Sequence, residues 1–67
     1  MAVASVTKIT AASPTSFEAA VQEGLVRASK TLRGITGLHV LEEKASVNNG
    51  KIAEYRVTME VTFILEG

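Results

Sequence analysis

The chain has no cysteine, no tryptophan and no aspartate, and only one histidine and one proline. Without cysteine no disulfide can form, and with His39 alone a single chain cannot build a zinc site from ordinary His and Cys ligands. Only three residues are aromatic, and none is interleaved with a run of basic residues, so a stacking platform for nucleic acid is not expected. Charge of one sign is also missing. Seven Lys and Arg balance seven Glu, which leaves no overall field to draw the chain to nucleic acid or to an anionic membrane. No stretch approaches the roughly 20 apolar residues that span a bilayer. The opening "MAVASVTKIT" lacks a basic start followed by a long apolar region, so a cytoplasmic protein is the expectation.

Catalytic patterns are absent too. There is no phosphate-cradling glycine loop and no cysteine nucleophile, and Ser5, Ser13, Ser16, Ser29 and Ser46 have no base placed by local pattern. The glutamates never take a calcium-loop spacing. A binding protein rather than an enzyme is expected. At 67 residues the chain is one domain, residues 1–67, near the size at which a single core barely offsets chain entropy. With disulfides and a metal of its own excluded, association between copies is the remaining route to stability.

What is present begins with a helix. In "SPTSFEAAVQEGLVRASKTLRG", Phe17, Ala20, Val21, Gly24, Leu25, Ala28 and Leu32 recur at intervals of three and four, which gathers them on one face. Thr15 and Glu18 have capping-box spacing, and Ser13-Pro14 keeps the chain out of the helix until that point. Lys30 and Arg33 suit a C-terminal turn that Gly34 can end in the left-handed region. Gly24 costs about 1 kcal/mol in mid-helix relative to Ala. Its place on the apolar face predicts close packing against a sheet.

The second half predicts a hairpin. "LHVLEEKASV" and "KIAEYRVTMEVTFIL" flank Asn49-Gly50, a dipeptide that tolerates positive φ at both positions. Tyr55, Val57, Met59, Val61, Phe63 and Leu65 alternate with Glu54, Arg56, Thr58, Glu60 and Thr62, giving one apolar and one polar face. Tyr55 thereby belongs to the core rather than to a site. The preceding strand changes parity between Leu38/Val40 and Leu41/Val47, which implies a bulge or burial on both faces. "VASVTKIT" supplies a third strand.

The fold class is therefore α+β, in the order strand, helix, strand, strand. A helix of about 17 residues spans roughly 26 Å, whereas a strand of about 14 residues reaches roughly 47 Å. The hairpin overhangs its helix, and apolar residues such as Phe63 and Leu65 need cover from another copy.

The segments "ASPTSFEAAVQEGLVRASKTLRG", "GKIAEYRVTMEV" and "TFILE", in this order and spacing, resemble the dodecins over nearly the whole chain. The resemblance implies a β-α-β-β protomer whose three-stranded antiparallel sheet wraps one helix, with twelve protomers closing into a hollow shell. It also implies paired flavins, such as riboflavin or FMN, held at two-fold interfaces for storage rather than turnover. Aligned in this way, Gly37 stands where the flavin-stacking tryptophan is found, and Arg56 stands where a glutamine hydrogen-bonds the flavin edge. Lys44 falls where a basic residue often lies near the ligand. His39 replaces an acidic residue common in the family.

Each substitution has more than one reading. Arg56 either favours an anion such as phosphate or carboxylate, or pairs with Glu42, Glu54 or a neighbouring chain's Glu on the polar face. Lys44 is either a ligand neighbour or an ordinary exposed lysine. Gly37 either records the loss of a ligand or lets two backbones approach closely. His39 is a satisfied side chain unless a symmetry axis gathers copies of it around a metal. The resulting expectation is a small-molecule storage shell with weakened or altered flavin binding. The alternative is a flavin-independent shell that binds calcium or another ion, or is purely structural, because some dodecin-like proteins with the same two departures are associated with calcium.

Overall fold

The structure, a computed structural model, describes residues 3–65; residues 1, 2, 66 and 67 of the expected domain, including the last residue of "TFILE", lie outside the described residues. Strand β1 (Val3–Ser13) leads into helix α1 (Phe17–Ser29), followed by β2 (Ile35–Asn48) and β3 (Lys51–Leu65). The three strands form one antiparallel sheet in the order β1-β3-β2, so the most strongly alternating strand lies in the centre. Val57, Met59 and Val61 of β3 are fully buried, and Ile9, Ala11, Phe17, Val21, Leu38 and Val40 pack against the cluster that Ala20, Val57 and Met59 make.

The helix begins one residue later than capping-box spacing predicts. Ser16 is the N-cap, and its Oγ accepts a hydrogen bond from the Ala19 N–H at 2.9 Å. Thr15 is held outside, its own N–H donating to Ser13 Oγ at 3.0 Å. The two hydroxyls thus divide the work of the Ser-Pro turn and the cap. Replacing Ser16 by Ala is expected to lower stability by about 1 kcal/mol, which thermal melting would register; no change would mean that Thr15 takes over as cap.

The helix also ends earlier than predicted, at Ser29 rather than near Arg33. The Lys30 and Thr31 N–H groups bond back to the Arg27 and Ala28 carbonyls, a tightening to i→i−3 bonds typical of a closing turn. Gly34 does adopt positive φ, at 73°, but it serves the entry to β2, where its carbonyl accepts from the Ile64 N–H at 3.0 Å.

Small residues let the helix lie close to the sheet. Ala20, Gly24 and Ala28, four apart, are its buried positions. A Cβ on Gly24 would run into the Met59 methyl and come within 3.1 Å of the Ala11 Cβ, so the predicted close packing is present. The turn joining β2 and β3 is the expected one, with φ of 53° at Asn49 and 74° at Gly50. The parity change in β2 resolves into three register shifts, at Ile35/Gly37, Val40/Glu42 and Ser46/Val47.

At 13 residues the helix is about 20 Å long, against a molecule 52 Å in its longest dimension. Both ends of the hairpin run past it. Leu65 and Val3 are half or more exposed at one end. Val47 and Ile52, paired across the strands near the turn, are exposed at the other. This second apolar overhang adds to the one that the sequence places at Phe63 and Leu65.

Candidate functional site

The face of the sheet turned away from α1 carries the candidate site residues. Pairing along β3 brings Lys8, Glu60 and His39 to one level of this face and Thr10, Thr58 and Glu42 to the next. Ala12, Arg56 and Lys44 form the level after that, followed by Glu54 and Ser46. The Thr10 and Thr58 hydroxyls are hydrogen-bonded at 3.1 Å.

Lys44 and Arg56 are therefore brought together as direct cross-strand partners. Neither forms an ion pair across to the other's strand. Arg56 Nη2 donates to Glu54 Oε1 at 2.7 Å, and Lys44 Nζ lies 3.3 Å from Glu42 Oε1; each carboxylate is two residues away on the same strand. Both pairs are solvent-exposed, where such contacts contribute little. Between Glu42 and Glu54 of its own chain, Arg56 meets Glu54. His39 is also exposed, its Nδ1 3.7 Å from Glu60 Oε1.

Gly37 is not part of this constellation. It pairs with Thr62, which puts it about 20 Å along β3 from Arg56 at roughly 3.4 Å per residue. One protomer cannot present both positions to one small ligand, so a pocket using both needs a second copy. A Cβ built on Gly37 meets no atom within 4 Å. The residue borders an open hollow of about 370 Å³ with Ile35, Thr36, Leu38, Leu25 and Ser29. A larger hollow of about 620 Å³ lies elsewhere, between α1 and edge strand β1, floored by Ala11, Ala12, Gly24 and Ala28.

The aromatic residues do not stand in for the indole that the resemblance implies at the position of Gly37. Phe17 and Tyr55 pack edge to face, their ring centres 5.0 Å apart; Tyr55 is half-buried and reaches the core cluster through Phe17 rather than belonging to it as the alternation implies. Phe63 is half-buried on the helix side, opposite Ser5 and Ile35. The side chains present thus do not fit a flavin sandwiched between indoles. Among the described residues no three His or Glu side chains are grouped to hold a metal ion, and no helix is long and apolar enough to cross a membrane.

A β-α-β-β protomer with a central β3, one helix on one face and a charged, open opposite face defines a class of small α+β protein built around a single helix. The family described as Dodecin matches residues 3–66, and the chain belongs to that family. Dodecin from Thermus thermophilus is 42% identical over 50 residues, which cover 75% of this chain and 72% of that protein. Among solved structures, dodecin from Streptomyces davaonensis superposes with a TM-score of 0.93 at 36% identity, covering 98% of this chain and 97% of the other. Calcium dodecin from Mycobacterium tuberculosis, described as calcium-chelating with a novel calcium-binding site, has a TM-score of 0.82 at 37% identity, covering 96% of this chain and 91% of the other.

Proposed function

We propose that the chain assembles into the homo-dodecameric shell of its family and sequesters a small ligand without turning it over, with flavin affinity reduced at Gly37 and Arg56. The observation that carries this reading is the open space at Gly37, where nothing stands within 4 Å of a would-be side chain. Assembly is supported by the uncovered apolar positions Val3, Leu65, Val47 and Ile52 at the two ends of the sheet, more than a protomer this small covers by itself. Lys44 belongs to the same ligand-facing surface.

Fluorescence titration of riboflavin and FMN into ligand-stripped protein tests the flavin part, and light scattering tests the assembly. The expected outcome is a particle of twelve chains with weak or no quenching. Saturation at micromolar flavin or below, near one per protomer, would sink the claim of reduced affinity.

A second reading is ion binding, favoured by the likeness to a calcium dodecin. Calcium takes six to eight oxygens, so Glu42, Glu54 and Glu60 on the polar face would need oxygens from another copy. Calorimetric titration of calcium into chelator-treated protein decides it, and heat indistinguishable from dilution removes this reading.

A further inference from the structure

The tip of the hairpin carries a reactive dipeptide that the function proposed above does not use. Asn49 and Gly50 have φ of 53° and 74°, the pair of positive values that makes a two-residue type I′ turn. Both residues are exposed, and a Cβ on Gly50 would meet nothing within 4 Å. An asparagine amide carbon is open to attack by the backbone nitrogen of the next residue, and glycine is the residue that hinders such an approach least. Asn48, the chain's other asparagine, is followed by a residue with a side chain and is paired with Lys51 in the ladder.

The closed turn blocks this reaction. A type I′ turn sets ψ of its first central residue near about 30°, which swings the Gly50 nitrogen almost opposite the Asn49 Cβ across the Cα–C bond. Ring closure needs the two on the same side, so the tip must open before the nitrogen can reach the amide carbon. Little holds it shut. Asn48↔Lys51 and Val47↔Ile52 are the two pairs that form before the register shift at Ser46/Val47 interrupts the ladder. Val47 and Ile52 are themselves 66% and 52% exposed. Segments with so few buried apolar contacts open locally, at a fraction of the cost of global unfolding.

We infer that Asn49 is a deamidation site gated by opening of the hairpin tip, residues 47–52, and independent of unfolding of the core. In the opened tip the Gly50 N–H loses its proton to base and the nitrogen bonds to the Asn49 Cγ. The amide nitrogen takes up a proton and leaves as ammonia. Water then opens the five-membered imide at either carbonyl, with no change of oxidation state. One opening gives aspartate, and an Asp-Gly pair still fits a type I′ turn. The other carries the backbone through the side-chain carbon and lengthens the tip by a methylene, so a two-residue turn no longer closes Asn48 onto Lys51. Either product adds one negative charge to a chain whose charges balance.

The test incubates the full chain in mildly alkaline buffer and, separately, in unfolding guanidinium chloride. Deamidation at Asn48 and Asn49 is followed by mass spectrometry of proteolytic fragments. The ratio of native to unfolded rate cancels the intrinsic chemistry of each sequence and leaves the opening equilibrium. In wild type Asn49 is expected to outpace Asn48, and to react about 10-fold to 1,000-fold more slowly native than unfolded. K51G loosens the strand end beside the turn and is expected to raise the ratio about 2-fold to 5-fold, the equivalent of about 0.5–1 kcal/mol for a strand glycine. S16A weakens the helix cap, away from the tip, and is expected to leave the ratio unchanged. A rise with S16A as large as with K51G would place the gate in global unfolding and overturn the inference, as would a ratio that K51G leaves unchanged. Equal native and unfolded rates in wild type would mean that the turn protects nothing. No detectable native reaction would mean that the tip does not open by itself, and no reaction at Asn49 in guanidinium would remove the site. None of these outcomes depends on which ligand the protein holds.

Discussion

Replacing Gly37 by tryptophan is expected to raise flavin affinity by roughly 5-fold to 150-fold for each indole that meets the ring. The range follows from base–aromatic stacking of about 1–3 kcal/mol per contact and 1.4 kcal/mol per decade in affinity. Two local features make the substitution structurally cheap. Gly37 does not have the positive φ found at Gly34 and Gly50, so a side chain does not strain the backbone there. A Cβ at that position meets nothing within 4 Å. The indole would therefore project into open space, and where the proposed assembly pairs two copies at this position it would arrive twice. Fluorescence quenching of riboflavin by G37W against wild type measures the gain. Equal quenching by both proteins would mean that the ring does not visit this position and that the family's ligand geometry does not carry over.

The substitution would also separate Gly37 from Arg56, the two positions to which the proposed reading assigns the reduced flavin affinity. Arg56 lies about 20 Å from Gly37 along the central strand, so within one protomer the two changes are distant enough to act independently. If G37W alone restores tight binding, Arg56 was not the obstacle. If it restores stacking only in combination with R56Q, the cation excludes the neutral flavin edge.

Much of this architecture is legible in the sequence because it rests on strong periodic signals. Six apolar positions alternate in β3, and the structure buries three of them, Val57, Met59 and Val61, at the centre of the sheet. Asn49-Gly50 forms the turn its conformational tolerance implies. The helix face is recovered too, down to the contact of Gly24 with the sheet. The helix ends are less legible, since Thr15 and Ser16 are adjacent capping hydroxyls and only the competing bond from Thr15 N–H to Ser13 decides between them. The candidate site residues come from the resemblance rather than from a pattern. Their arrangement could not be read, because a one-residue bulge changes every cross-strand partner beyond it. The sequence shows Glu42, Glu43 and Lys44 in a row; only the register shows that the lysine faces Arg56.

The largest expected loss of stability comes from Met59→Ala. Met59 is fully buried on the central strand and packs where α1 carries Gly24 in place of a side chain. Truncating a buried methionine costs about 2–5 kcal/mol. Domains of this length have total stabilities on the order of 0.05–0.15 kcal/mol per residue, so the loss is a large part of what an unassembled protomer has. Gly24→Ala provides the control that assigns the cause. In the wild-type background the new methyl collides with the end of the Met59 side chain and crowds Ala11, whose Cβ cannot move aside. That opposes the gain of about 1 kcal/mol that alanine brings to a helix interior. In the Met59→Ala background the first collision is gone and part of the cavity is filled, so the same substitution should become stabilising. Denaturant unfolding of the four proteins gives the coupling. A Gly24→Ala effect identical in both backgrounds would show that the helix does not rest on Met59, and that the close approach at Gly24 is set by Ala11 and the backbone alone.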